Sequence, residues 1–321
     1  MSRKTVVFLI GATITVFTPL VYRGAYFLDI AIMVFLWASL AGAWNIIGGY
    51  AGQLSLGHAA FIGLGAYAST LLFIHFSISP WLGMLIGAAM AGVVGLLLSA
   101  VCFRLKGPFF CLVTIAFGEV LRILAINIRS LTEGAEGISI PFKAGLANFM
   151  FQGKLPYYYL ALALTFVILG LCHIIERSKF GYRLLASRQE EDAALSIGVH
   201  VTRVRVLAMG LSAVLTALCG TFYAQYILFL EPDSVFSLSF SIHPALIAIV
   251  GGLGSAFAPI LGSAIIIPME HLLRGYLGDA YGPLYIVIYG TLVAVVVLFL
   301  PNGLLGMFDK YLKAKKGSEH A

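Results

Sequence analysis

The chain has 321 residues, 60% of them hydrophobic and only 11% charged, with a mean hydropathy of +0.99. Soluble domains carry about 25% charged residues, so this composition excludes most soluble classes and, with apolar runs along nearly the whole length, reads as an all-α polytopic membrane protein. The net charge is +6, but Lys and Arg gather on the cytoplasmic side of membrane proteins, so the basic sum does not point to nucleic acid.

The chain begins "MSRKTVVFLIGATITVFTPLVY". Pro19 and Tyr22–Arg23 occupy the zone where a signal peptide needs small residues, so 6–22 is predicted to be an uncleaved first span. Further predicted spans are 27–47, 54–74, 80–103, 109–128, 157–175, 204–226, 234–250, 256–273 and 284–300. The run 234–273 is interrupted by "GGLGSAFAP" (Gly251–Pro259), which reads either as a turn between two spans or as the break of a re-entrant hairpin. Basic residues cluster at Arg3 and Lys4, at Arg177 to Arg205, and at Lys310 to Lys316. Placing all three in the cytoplasm gives about ten spans, both termini cytoplasmic, and a cytoplasmic turn at Gly251–Pro259. The chain is then one transmembrane domain, 1–321, with a cytoplasmic loop at 176–205. Cys102, Cys111, Cys172 and Cys219 lie in or beside apolar runs without a CxxC pair and read as buried thiols.

Within this apolar chain, "GGYAGQLSLGHAAFIGLGAY" (Gly48–Tyr67) collects small and polar residues. Gly48 and Gly52 form a GxxxG pair, and Ser55, Ala59 and Gly63 continue the i, i+4 spacing, as in close helix packing. Gly52, Gly57 and Gly63 are the packing candidates. Gln53, Ser55 and His58 enter the membrane as a polar cluster, which suits either the edge of a translocation path or hydrogen bonding between helices.

Glu119 and Arg122 sit at i, i+3 and predict a local structural ion pair. Glu270 and Arg274, at i, i+4, predict an interfacial pair, and His243 beside Pro244 predicts a helix brace. No HExxH, GxSxG or Walker A pattern is present. No catalytic, cofactor-binding or metal-binding set is therefore expected on this chain.

The polar segment Glu176–Val206 contains "SRQE", which fits a capping box with Ser187 as N-cap and Glu190 at N3, and Gly198 fits the stop. The predicted short helix runs from about 188 to 197. Glu190, Glu191 and Asp192 fall at its positive end, and Ala193, Ala194, Leu195 and Ile197 make its later part apolar. Such a helix between basic arms suits docking to a soluble partner better than lying on anionic lipid.

This segment resembles the coupling loop of ABC importer permeases. "FGYRLLASRQEEDAALSIGVHVTRVRVLAMGLSA" is similar to the M-type permeases of branched-chain amino acid importers, as are "AWNIIGGYAGQLSLGHAAFIGLGAYAS", "GPFFCLVTIAFGEVLRI", "TEGAEGIS" and "IVGGLGSAFAPILGS". Tyr182 stands where a second basic residue is common in that family, and Gln189 where an acid is common. The resemblance implies the permease fold of the larger, type II-like importers and a bacterial or archaeal plasma (inner) membrane location, with membrane lipid around it. It implies a second, H-type permease, two ATPase subunits that carry ATP and Mg, and an extracytoplasmic substrate-binding protein. By this resemblance Ser187, Glu190, Glu191, Asp192, Ala193, Ala194 and Gly198 would contact an ATPase, and the Gly48–Tyr67 stretch would lie near the path. The implied function is ATP-driven import of leucine, isoleucine and valine. Urea or short amides carried by the same architecture form the alternative, and a stand-alone ion-coupled carrier is a remoter one.

Overall fold

A computed structural model describes residues 24–102, 105 and 107–281, with scattered positions in 15–19 and 287–307. The predicted spans 6–22 and 284–300 fall mostly outside the described residues. Arg3, Lys4, Arg104, Lys106 and Lys310 to Lys316 fall wholly outside them.

The described elements are α1 (Ala25–Asn45), continued by a π-helical turn Ile46–Tyr50, α2 (His58–Phe76), α3 (Pro80–Cys102), α4 (Pro108–Asn127) and the short α5 (Arg129–Thr132). There follow α6 (Lys154–Glu176), α7 (Lys179–Gln189), α8 (Glu191–Ser196), α9 (Val201–Ile227), the short α10 (Pro232–Val235), α11 (Leu238–Gly251) and α12 (Ala258–Tyr281). Among the described residues, seven helical segments are long and apolar enough to cross a membrane, counting α1 with its π turn and α10 with α11. Two-residue strands β1 (Ile138–Ser139) and β2 (Phe229–Leu230) pair antiparallel.

The boundaries follow local chemistry. Gly107 at φ +57 and Pro108 at the first helical position start α4. Ser178 caps α7 by accepting from the Gly181 amide at 3.1 Å. The interior is held by backbone approach at small residues, since apolar burial drives little association between helices in lipid. A Cβ on Gly65 would stand 2.1 Å from the Ala217 carbonyl oxygen, and one on Gly220 would stand 2.2 Å from that of Ile62. Thr221 Oγ1 donates to the Gly65 carbonyl at 3.0 Å. α9 is therefore keyed into α2, and Gly92 and Gly95 bring α3 against its other side at Val214 and Ala213. All four cysteines are buried and free.

Hydrogen bonds identify which connections share an end of the bundle. Asn45 Nδ2 donates to the Ser255 carbonyl at 3.0 Å, and Ala256 N donates to Glu176 Oε2 at 3.2 Å. The break after α1, the 176–201 loop and the Gly252–Phe257 turn thus meet at one end. At the other end Lys154 pairs with Asp29 at 3.1 Å, Tyr226 donates to Asp29, and Trp81 Nε1 donates to the Leu146 carbonyl at 2.8 Å. Asp29 is thus paired from two elements.

The run 234–273 forms two helices, α11 of 14 residues and α12, joined by a turn, as in one of the two readings expected. Two local expectations are corrected. Glu270 lies 3.2 Å from His243 Nε2, tying α12 to α11; its predicted partner Arg274 makes no ion pair with it among the described residues. The small-residue stripe is not one helical face, because residues 51–57 are unwound and Gly52 takes φ +70. That backbone region is strained for any residue with a Cβ.

Candidate functional site

The unwound segment 51–57 is stitched in place by protein groups. Trp44 Nε1 donates to the Ser55 carbonyl at 2.7 Å, and Leu56 N donates to Thr114 Oγ1 at 3.1 Å. His58 is 1% exposed. Its Nε2 lies 2.9 Å from Ser212 Oγ, which spends its own proton on the Ala43 carbonyl at 2.7 Å. Nε2 must then carry the hydrogen, leaving Nδ1 to accept from Ser55 Oγ at 3.3 Å. A neutral imidazole thus joins α1, α2 and α9. Of the two sequence readings, bracing between helices accounts for both Ser55 and His58. Gln53 differs, because its Oε1 is buried without a partner among the described residues.

Gly57 and Gly63 are sites of close packing, as expected. A Cβ on Gly57 would lie 2.5 Å from the Thr114 carbonyl oxygen, and one on Gly63 would lie 2.1 Å from the Phe236 ring. Gly52 packs against Arg188 rather than a neighbouring span, with its Cβ position 2.6 Å from Arg188 Cγ.

The loop between α6 and α9 corrects the predicted capping box. Ser187 is a buried interior residue of α7, and its Oγ donates back to the Leu184 carbonyl at 2.7 Å. The helix breaks instead at Glu190, whose extended backbone (φ −153, ψ 113) makes it the N-cap of α8 without a side-chain bond. Glu190 therefore does not reach back to Ser187, and α8 is six residues long, shorter than predicted. Gly198 takes φ +81, the left-handed stop expected from the sequence.

This loop is fastened to the bundle by two arginines. Arg188 Nη1 donates to the Gly49 carbonyl at 2.6 Å, within the π turn. Arg205 Nη2 donates to the Ser187 carbonyl at 2.9 Å, and its Nη1 lies 3.3 Å from Glu191. Gly254 N donates to Asn45 Oδ1 at 3.1 Å. Arg188, Asn45 and Ser212 were not singled out in the sequence. A polar residue standing alone in an apolar run is the signal that marks Asn45 and Ser212; Arg188, in the polar stretch "SRQEED", carries no such signal. Outward, the loop presents Tyr182, Leu185, Glu190, Asp192, Ala193, Leu195 and Ile197, while Ala194 is buried beneath them. A mixed apolar and acidic surface on a short braced helix pair is suited to a protein partner.

At the opposite end, Arg122 and Glu119 form the predicted pair at 2.5 Å, and Arg122 also bonds Asp233 of α10. Their side chains are not buried: Glu119 is 50% exposed, Asp233 49% and Arg122 29%. A charge exposed to hydrocarbon costs about 2.5–3.5 kcal/mol or more near a helix centre. This trio therefore faces water or another protein in the membrane.

Comparison with known proteins agrees with these features. Residues 26–300 match the family model described as the permease component of branched-chain amino acid transport systems. The high-affinity branched-chain amino acid transport system permease protein LivM of Escherichia coli (strain K12) is 30% identical, across 93% of this chain and 74% of that protein. The protein of the same name from Salmonella typhimurium matches equally. The permease protein LivH of Escherichia coli (strain K12) is 23% identical, across 84% of this chain and 91% of that protein. No solved structure matches. The chain belongs to the permease-component family of branched-chain amino acid transport systems.

Proposed function

We propose that this chain is the M-type permease subunit of an ATP-driven importer of leucine, isoleucine and valine. It would form half of a translocation pathway with an H-type permease, a pairing supported by its similarity to both LivM and LivH proteins. Two ATPase subunits, which bind ATP and Mg, supply the energy, and an extracytoplasmic binding protein delivers the substrate. The permease lies in the plasma (inner) membrane with ten spans, the seven described segments and α12 being completed by 6–22 and 284–300, and both termini are cytoplasmic. The chain itself carries no hydrolytic chemistry in this reading.

The observation that carries the mechanism is the fastening of the α7–α8 loop to unwound backbone. Arg188 holds the π turn at Gly49, and Asn45 holds the Gly252–Phe257 turn. An ATPase docked on Glu190, Asp192, Ala193 and Leu195 would push on α7. That push is delivered where the helices are already broken, so α1, α2 and α11 can reorient without losing regular helical hydrogen bonds. Selectivity resides in the binding protein, which agrees with the few charged groups in the membrane-spanning segments.

The test is co-purification followed by reconstitution. The tagged chain should bring down a second permease and ATPase subunits, and proteoliposomes containing them should accumulate leucine only with ATP and the binding protein. A chain isolated alone that transports without ATP would overturn the importer reading. Uptake of urea or a short amide in place of leucine would overturn the substrate assignment alone.

A further inference from the structure

We propose that Glu119, Arg122 and Asp233, with the hydroxyl of Tyr67, form a transit station for the ammonium and carboxylate of a free α-amino acid in the outer half of the pathway. This rests on the amino-acid permease reading above and assigns that reading its first substrate-contacting residues.

The argument starts from depth. α11 has 14 residues and so runs about 20 Å, whereas α1, beside it, has 21 and runs about 30 Å. Their loop-side ends are level, since Asn45 is bonded to the turn that follows α11. The start of α11 therefore lies about 10 Å below the far end of α1. On the other side of the trio, Glu119 is two helical turns below the end of α4 at Asn127, about 12 Å. The ring of Phe236, just after α10, stacks on Tyr67 in the middle of the 19-residue α2, so α10 and its partner Arg122 lie level with the interior of that helix rather than with its end.

The backbone there is irregular. Leu228 is left-handed, Phe229–Leu230 is strand, and Phe236–Ser237 is non-helical. Such backbone is tolerated at membrane depth only where it is buried in protein or lines a cavity. Glu119 and Asp233 are each about half exposed, so they open onto a space beyond this chain. Tyr67 supplies a separate pointer. It is 6% exposed, its ring stacks on Phe236 at 5.7 Å, and its hydroxyl has no hydrogen-bond partner among the described residues.

The chemistry fits a zwitterion. Two carboxylates share one guanidinium, which leaves one negative charge for an incoming ammonium. The Arg122 fork is the natural partner for the substrate carboxylate. Beside Glu119, the exposed face of α4 offers Leu112, Val120 and Ile123 to an apolar side chain. Entry exchanges ion pairs within the protein for ion pairs to the substrate, so the station binds weakly and releases readily.

The experiment uses the full transporter, with its partner permease, ATPases and leucine-loaded binding protein, in proteoliposomes. Arg122→Gln and Asp233→Asn are expected to lower leucine uptake about tenfold. ATP hydrolysis stimulated by the loaded binding protein should stay within about twofold of wild type. Arg122→Lys, which keeps the charge and loses the fork, should fall between. Uncoupling of uptake from hydrolysis is a readout that a merely structural role would not produce. Uptake at the wild-type level, or uptake and hydrolysis falling together, would overturn the proposal. Failure of all three variants to assemble would assign the trio to the permease–permease contact and overturn it equally. If the wild-type complex takes up no leucine, the functional reading fails first, and the station falls with it.

Discussion

Arg188 donates to the carbonyl of Gly49 at 2.6 Å, joining the loop between α6 and α9 to the π turn that ends α1. A π turn leaves its carbonyls off the regular ladder, so the guanidinium binds a group with a weakened internal partner. Gly52 makes room for the side chain at φ +70. Removing the contact should disconnect the loop without unfolding the bundle. We expect Arg188→Ala to retain the partner ATPases on co-purification and to lose most ATP-dependent uptake. Arg188→Lys should recover part of it. Full uptake by Arg188→Ala would exclude this contact from coupling.

Gly52→Ala tests the same joint from the other side. The new Cβ would stand 2.6 Å from Arg188 Cγ on a left-handed backbone. Strain of about 1–2 kcal/mol is expected. It should appear as reduced coupling, measured as leucine transported per ATP, rather than as loss of the folded protein.

The docking surface separates Glu190, the N-cap of α8, from Glu191 within it. Glu191 lies 3.3 Å from Arg205 and so also holds the loop together, whereas Glu190 is exposed at the break between α7 and α8. Glu190→Lys should therefore abolish ATPase association while leaving thermal stability unchanged. Glu191→Lys should lower both. Equal loss of stability in the two variants would show that Glu190 also serves the fold.

Much of this architecture is legible in the sequence, because hydropathy and positive residues both act over long stretches. The six interior spans up to α9 lie within a few residues of expectation, and the break at Gly251–Pro259 falls at the same end as the loop. What was misread is local. "SRQE" carries the letters of a capping box, but Leu184 and Ser187 are buried against the bundle, which keeps α7 helical through Gln189. The helix stops one residue later, where Arg205 takes the Ser187 carbonyl. The partners of Arg122 and Glu270 were only partly legible, since Asp233 and His243 come from other elements and sequence spacing ranks neighbours on one helix first. Ser55 and His58 announced themselves as polar residues in an apolar run. Only the position of Ser212 shows that they brace helices.

The packing at the start of α2 makes a graded prediction. A Cβ at Gly57 meets the Thr114 carbonyl oxygen at 2.5 Å, a backbone atom that cannot rotate away. At Gly63 it meets the Phe236 ring at 2.1 Å, and that ring is pinned by stacking on Tyr67. Gly118 and Gly170 have nothing among the described residues within 4 Å of the same position. Overpacking a tight site costs about 1–3 kcal/mol. Gly57→Ala and Gly63→Ala should therefore lower the thermal midpoint of the purified complex, and Leu at either site should prevent assembly. Gly118→Ala and Gly170→Ala should leave the midpoint unchanged or raise it, because Ala favours the helix over Gly by about 1 kcal/mol. Equal midpoints for all four alanine variants would mean that α2 shifts freely against α4 and α10. The rigid joint on which ATP-driven reorientation depends would then lie elsewhere.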